Sequence, residues 1–172
     1  YHQTCCFLSL QIDGKLMDNV VFELFYSQAP NACCRSICSS SKGFNFEGCI
    51  FNYLHVNCYL EGGETTVYTN DGERYVNEVA KIDDERMPHN KPGLLSMPVH
   101  DLSIKFLITL CPMPSLNESH VVIGRLIEGM GLIEAINKKS IKNSGGIECD
   151  RGLPLANVTI YSCGETNNTL SY

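Results

Sequence analysis

Cysteine is the residue type in this sequence with the most chemical potential, and it occurs ten times. Two adjacent pairs, Cys5-Cys6 and Cys33-Cys34, suggest thiol–disulfide exchange, and an even count is compatible with a disulfide framework. The remaining cysteines are scattered through apolar runs, and no CxxC pair occurs. We therefore predict reduced thiols that serve as small buried apolar side chains, without a disulfide framework. A redox role for the adjacent pairs is the less favoured alternative, because buried thiols are usually inert.

Histidines next to acidic residues and cysteines are the second group that could do chemistry. His55 and His100 flank a segment that also contains Glu61, and such residue types bind zinc when their spacing is suitable. The spacing here matches no ligand pattern, so we predict ordinary polar residues and no metal site. No pattern indicates an organic cofactor either.

Composition describes one globular domain. The 172 residues are 44% hydrophobic and 19% charged, which is enough apolar material for a single core. The net charge of −6 and the pI near 5.3 argue against nucleic acid or an anionic membrane as the main partner. The sequence shows neither a signal peptide nor an apolar run that could span a bilayer, so a cytoplasmic location is expected.

Short strands with two helices are the elements that must position these residues. Residues 7–12 and 20–25 alternate apolar and polar side chains, with a turn signal at Asp13-Gly14 between them, which predicts a hairpin. Further strands are predicted over 49–60, 94–97, 106–110, 120–126 and 158–162, with Gly62-Gly63 as an interruption. Helices are predicted over 30–38 and 129–137, the second with Met130, Ile133, Ala135 and Ile136 on one stripe.

No repeat and no linker-like stretch divides the chain, which predicts a single domain over 1–172. Its core is expected over about 4–165, with a tail over 166–172. Strand spacing favours an antiparallel barrel or sandwich covered by two helices, and it does not choose between them.

Several segments, taken together, resemble the cyclophilin family. The string VFELFYSQAPNACCRSIC followed by KGFNFEGCIF is similar to the family's opening strand, first helix and turn. GLLSM at 93–97, HVVIGRLIEGMGLIEAI at 120–136 and VTIYSCGE at 158–165 are similar to later family blocks, in the family's order. The resemblance implies a closed eight-stranded antiparallel β-barrel capped by two α-helices. It also implies peptidyl-prolyl cis-trans isomerase activity, unless the active site has changed.

The first half of the implied active site has changed. In most family members the relevant segment reads FHRVIPGFMCQGGDF, and residues 51–65 here read FNYLHVNCYLEGGET. The resemblance puts Tyr53 at the catalytic arginine position and Glu61 at the substrate-binding glutamine position. The phenylalanine and methionine of the proline pocket become Cys58 and Tyr59.

The second half of the implied site has changed as well. The family's SQFFI becomes IKFLI at 104–108, so Lys105 stands at a glutamine position and Leu107 at a pocket phenylalanine position. Ser115 replaces a tryptophan, whereas Leu116 and His120 keep the family identities. The loop that begins at 98–100 is about three residues shorter than the family's.

These changes predict a cyclophilin-like domain that lacks prolyl isomerase activity and acts as a structural or protein-interaction module. No catalytic set is intact, and the degenerate positions are Tyr53, Glu61, Lys105 and His120. The proposed binding positions are Cys58, Tyr59, Leu107, Ser115 and Leu116. The sequence looks closest to divergent isomerase-like members, some of which are associated with motile cilia. Protein partners in a cytoskeletal or axonemal assembly are therefore expected, with a weak prolyl isomerase as the alternative.

Overall fold

The computed structural model describes residues 5–29, 46–65, 85–99, 104–142 and 149–166. In these ranges the chain forms one antiparallel sheet of nine strands and one α-helix. The strands are β1 (Cys5–Ile12), β2 (Lys15–Leu24), β3 (Tyr53–His55), β4 (Tyr59–Thr65), β5 (Leu94–Pro98), β6 (Ile104–Thr109), β7 (His120–Glu128), β8 (Arg151–Gly152) and β9 (Val158–Thr166). The helix α1 spans Met130–Lys138, and a short 3-10 turn spans Pro114–Leu116.

The predicted first hairpin is confirmed. β1 and β2 pair in antiparallel fashion, and Ile12 lies opposite Lys15, so the loop has two residues. Asp13 and Gly14 both have positive φ, 51° and 83°. This is the backbone conformation that a two-residue hairpin loop requires, and it is why an Asp-Gly pair marks such a turn.

The strands are ordered β8-β3-β4-β6-β5-β7-β2-β1-β9 in the sheet. The described residues form nine strands, so the predicted number of eight is not confirmed, and the two-residue β8, which pairs with β3, is among the strands that the sequence pattern does not indicate. The ladders leave β8 and β9 at the two ends, so they do not show the predicted closure. Residues 48–51 do bond to β9, through Phe51 N to Val158 O at 3.0 Å and Ile160 N to Cys49 O at 2.8 Å.

The core lies on one face of this sheet, while parts of β2, β5, β6 and β7 are buried on both faces. The side chains that fill it include Leu8, Leu10, Phe22, Leu54, Leu60, Leu95, Phe106, Ile108, Val121, Ile123 and Ile160. Gly62 and Gly63 do not interrupt a strand as predicted, since β4 continues to Thr65. A Cβ at Gly62 would come within 2.7 Å of the Phe51 ring, and one at Gly63 would collide with the Phe106 ring. The glycines make room for these two rings, whose centroids are 5.6 Å apart.

The second predicted helix is confirmed as α1. It follows Gly129, whose φ of 96° is accessible to glycine, and it buries Ile133 and Ile136. Ala135 was placed on the same stripe and is exposed, because two residues of helical rotation carry it away from Ile133. The helix predicted over 30–38 lies outside the described residues. Within the described ranges, no helix has the length and apolar character needed to cross a membrane.

Candidate functional site

The sheet places several of the predicted site residues in one row. Tyr53 on β3 lies opposite Glu61 on β4, Glu61 lies opposite Leu107 on β6, and Leu107 lies opposite Ser96 on β5. Directly opposite residues in an antiparallel sheet point to the same face. Their chain neighbours belong to the core, so this row lies on the outer face of the sheet. We call the outer face of β3, β4 and β6 the candidate groove.

Two tyrosine rings dominate the open part of this face. Tyr53 and Tyr59 are stacked with centroids 5.9 Å apart and an interplanar angle of 27°. His55 meets Tyr59 edge-on at 5.6 Å. Burial raises the pKa of Tyr59 to about 12, assisted by the nearby Tyr53 and Glu61 and by the hydrogen bond to Tyr53. At neutral pH Tyr59 is therefore an uncharged phenol. Its ring and that of Tyr53 stand at the positions where the family resemblance puts a pocket methionine and a catalytic arginine.

An ion pair occupies the next position along the groove. Lys105 Nζ lies 3.9 Å from a carboxylate oxygen of Glu61, and the two side chains are 27% and 19% exposed. The sequence identified both residues as degenerate positions, and the structure brings them together. Because a carboxylate accompanies the lysine, the pair adds no net positive charge to the groove.

Two charged residues not expected from the sequence also lie beside the groove: Arg151 on β8 and Asp150 directly before that strand. Arg151 lies opposite His55 in the β3–β8 ladder, and Asp150 Oδ2 is 3.4 Å from His55 Nε2. Arg151 Nε donates to Asp150 Oδ1 at 3.0 Å, and this hydrogen bond is the main reason that the pKa of Asp150 is lowered. Arg151 also interacts electrostatically with Tyr53 and Tyr59. No local motif marks this residue, since only the long-range strand pairing carries it to the groove.

The other predicted site residues lie at the margins. Leu107 faces outward from β6 but is only 1% exposed. Cys58 lies in the turn between β3 and β4, partly exposed, and Ser115 and Leu116 belong to the 3-10 turn. His120 begins β7 opposite Pro98, with its Nδ1 2.7 Å from Ser119 Oγ. The binding role given to these residues stays a prediction.

The covered end of the row contains a buried polar network. His89 is 1% exposed and Ser96 is fully buried. His89 Nδ1 lies 2.8 Å from Asn117 Oδ1, which also accepts the backbone N–H of His89 at 2.8 Å. Because an amide oxygen only accepts, Nδ1 carries the proton. Nε2 lies 2.7 Å from Ser96 Oγ, and Ser96 Oγ donates to Val121 O at 3.1 Å. We call the side chains of His89, Ser96 and Asn117 the His89 network. Its hydrogen bonds hold the segment before β5 against the outer face of the sheet.

The residues considered for metal or thiol chemistry are dispersed. His55 pairs with Asp150 rather than with Glu61, and His100 lies outside the described residues. In the part of the chain that the structure describes, no three histidine, cysteine or acidic residues come together as a metal site. Cys5 and Cys6 are fully buried, and burial raises the pKa of Cys5, which leaves this pair unsuited to solution redox chemistry. Cys33-Cys34 lies outside the described ranges, and no disulfide joins the seven described cysteines to one another.

Two comparisons with known proteins agree with the resemblance. A family model described as "Cyclophilin type peptidyl-prolyl cis-trans isomerase/CLD" matches residues 7–165. A protein of Rhizopus delemar named "Peptidyl-prolyl cis-trans isomerase cyp11" is 30% identical over 174 aligned residues. The alignment covers 92% of this chain and 49% of the relative, so the chain spans about half the length of that curated protein.

Proposed function

The chain belongs to the cyclophilin-type peptidyl-prolyl cis-trans isomerase family. We propose that, within this family, it is a protein-interaction module without effective isomerase activity. One observation supports the proposal above the others. The stacked pair of Tyr53 and Tyr59 occupies the place where the family resemblance puts the catalytic cation. The outer face of the sheet can hold an extended peptide, and its side chains are suited to binding that peptide rather than to catalysis.

An isomerase has to accelerate rotation about the amide bond that precedes proline. The barrier is about 18–20 kcal/mol because the C–N bond is partly double, and catalysis has to weaken that conjugation. A fixed donor or charge at a reacting centre is typically worth about 3–4 kcal/mol. The Tyr53 hydroxyl can donate a hydrogen bond, but it supplies no positive charge. Losing the cation alone is therefore expected to reduce the rate by a factor of hundreds or more.

Glu61 adds a second obstacle. An ionised carboxylate only accepts hydrogen bonds, whereas the glutamine implied by the family resemblance can both donate and accept. Glu61 therefore cannot donate to a substrate carbonyl while it is ionised beside Lys105 at 3.9 Å. The pair fits the recognition of a polar peptide better than it fits the holding of a twisted amide.

A weak isomerase is the second candidate, and one observation favours it. Arg151 interacts electrostatically with Tyr53 and Tyr59, so a guanidinium lies beside the groove although none is present at position 53. Its hydrogen bond to Asp150 ties it to an acidic partner, which diminishes the positive charge available for catalysis. For this reason the binding module remains the favoured function.

A proline-isomerisation assay on the purified chain tests the proposal. It compares the wild type, Arg151→Ala and the double variant Tyr53→Arg, Glu61→Gln with an ordinary cyclophilin. We expect negligible turnover by the wild type and little recovery in the double variant, because groups that act as a unit are not restored one by one. Wild-type turnover close to that of the ordinary cyclophilin would contradict the proposal. Weak turnover that disappears in Arg151→Ala would instead support the second candidate.

The partner that we propose is a protein of a cytoskeletal or ciliary assembly, and the proposed location is the cytoplasm or the cilium. Support comes from the resemblance to divergent family members and is analogy. We also propose that the sheet closes into a barrel covered by two helices, as the family resemblance implies, and the bonds between residues 48–51 and β9 support closure. Imaging of the tagged full-length protein tests the location: a signal excluded from cytoskeletal and ciliary structures would contradict it.

A further inference from the structure

Two of the free thiols lie side by side at one edge of the candidate groove. Leu110 N donates to Cys58 O at 2.8 Å, so the residue before Cys111 is bonded across the sheet to Cys58. The Cys111 thiol itself points to the same carbonyl, with Sγ 4.0 Å from Cys58 O. The pKa of Cys111 is raised, first by burial and then by the charge and hydrogen bond of the Cys58 thiol. The two sulfur atoms are therefore near neighbours.

The two cysteines lie just beyond the ladder between β4 and β6. Cys58 precedes β4 in its turn and Cys111 follows β6, so strand pairing does not force their side chains to opposite faces. The Cys111 thiol reaches the carbonyl of Cys58, which puts it beside that residue. Cys58 and Cys111 are also partly exposed, in contrast to the fully buried Cys5 and Cys6. A small reagent can reach this pair without unfolding of the core.

We propose that Cys58 and Cys111 are a modification site, a thiol pair that becomes an intramolecular disulfide by exchange with a small-molecule disulfide such as oxidised glutathione. The Cys58 thiolate attacks one sulfur of the oxidised glutathione and releases one glutathione thiolate. The Cys111 thiolate then attacks the Cys58 sulfur of the mixed disulfide and releases the second. Two electrons pass from the protein to glutathione, and the two protons of the cysteines end on the two glutathione thiols.

The position of the pair gives the link a structural consequence. Cys58 ends the β3–β4 turn directly before Tyr59, and Cys111 follows β6 and leads into the 3-10 turn that contains Ser115 and Leu116. A disulfide ties these two segments together, and both contain predicted binding positions. The oxidised domain therefore has a more rigid groove edge than the reduced one. The inference does not depend on whether the groove catalyses isomerisation or only binds.

The test uses the full chain in buffers of rising oxidised-to-reduced glutathione ratio, quenched by alkylation and followed by peptide mapping. We expect the peptide cross-linked between Cys58 and Cys111 to be the first and the most abundant disulfide product, several-fold above any other. In Cys58→Ser the cross-link is lost and cannot be replaced by another at Cys111. Cys163→Ser is the matched control, because Cys163 is also partly buried but lies on β9, and it keeps the cross-link.

A second measurement keeps the proposal falsifiable if a variant folds poorly. The wild type alone should show a higher melting temperature after oxidation, and a thiol reductant should reverse the change. Oxidised wild type whose cross-links are distributed at random among the cysteines would overturn the proposal. So would modification of Cys149 or Cys163 that matches or precedes that of the pair.

Discussion

The two ends of one row across the sheet differ in how they treat polar groups. At the open end, Tyr53 and Glu61 are partly exposed and interact with neighbouring side chains and solvent. At the covered end, Leu107 and Ser96 are buried, and Ser96 meets His89, which is itself 1% exposed. One row on the outer face of the sheet thus has a solvated end and a sealed end.

The difference between the two ends indicates where this fold tolerates a change of side-chain chemistry. A buried polar group has to be matched by a partner, and leaving one unmatched typically costs about 1–3 kcal/mol. Solvent replaces lost partners at the open end, so identities there can change at little cost. The family-like string GLLSM forms the covered β5, whereas segments that depart from the family pattern form β3, β4 and β6. At the covered end the departure, Leu107, is itself apolar and leaves no buried polar group unmatched. The loss of activity that we propose therefore leaves the fold in place.

The largest effect is expected from breaking the covered end. His89→Ala removes a buried ring together with its hydrogen bonds to Ser96 and Asn117, which should lower the free energy of unfolding by about 3 kcal/mol. Tyr53→Ala at the open end removes one half-exposed ring of a stacked pair and should cost about 1 kcal/mol. Urea denaturation of both variants measures the contrast. Equal losses would show that the two ends do not differ as described.

A pH titration sharpens the same contrast. Burial lowers the pKa of His89 in the folded state, and the hydrogen bond to Asn117 opposes the shift only in part. Between the lowered pKa and the ordinary value of about 6.5, the unfolded chain binds more protons, so stability rises with pH in that window. The contribution of the neutral His89 to stability is fully present above the unfolded-state pKa, and it is lost as the pH falls toward the lower folded-state pKa. Subtracting the unfolding free energies of His89→Gln from those of the wild type should reveal this slope, and a flat difference would refute it.

An intermediate effect is expected where the open end is joined to the helix. Asn57 N donates to Asn137 Oδ1 at 2.8 Å, and Asn137 Nδ2 donates to Asn57 Oδ1 at 2.9 Å. Asn137→Ala removes both bonds and should cost about 1 kcal/mol at this exposed site. Asn57→Gly is the matched control, since glycine keeps the backbone donor and tolerates the φ of 63°. Thermal unfolding should rank Asn137→Ala as the less stable of the two.

The smallest effect is expected from the groove's ion pair. Glu61 and Lys105 are 3.9 Å apart and retain solvent contact, and such pairs contribute less than about 1 kcal/mol. A double-mutant cycle with Glu61→Gln and Lys105→Ala should give a coupling of about 0.5 kcal/mol that weakens further in high salt. A coupling above about 2 kcal/mol would mean that the open end is desolvated like the covered one.

Which residues share the site could largely be predicted from the sequence, because the alignment with the family pattern sets the register of β3, β4 and β6. Gly62-Gly63 fixed the alignment of β4, and the structure places Tyr53, Glu61 and Leu107 in adjacent positions as that alignment requires. The same glycines were misjudged as a strand interruption, because a sequence does not show that two phenylalanine rings need the space. Arg151 was missed altogether, since β8 has two residues and shows no periodicity.

The sequence by itself determined the strands whose side chains alternate, the two-residue turn at Asp13-Gly14, the family and the loss of the arginine at position 53. These features are local, and each can be read from residue type and spacing over a few positions. Only the tertiary structure decided that Arg151 stands beside the tyrosine pair, that His89 seals Ser96, and that Cys58 meets Cys111. Each of these contacts joins residues far apart in sequence or on different elements. The pairing of strands, which hydrophobic burial and backbone hydrogen bonding select together, brings them into contact.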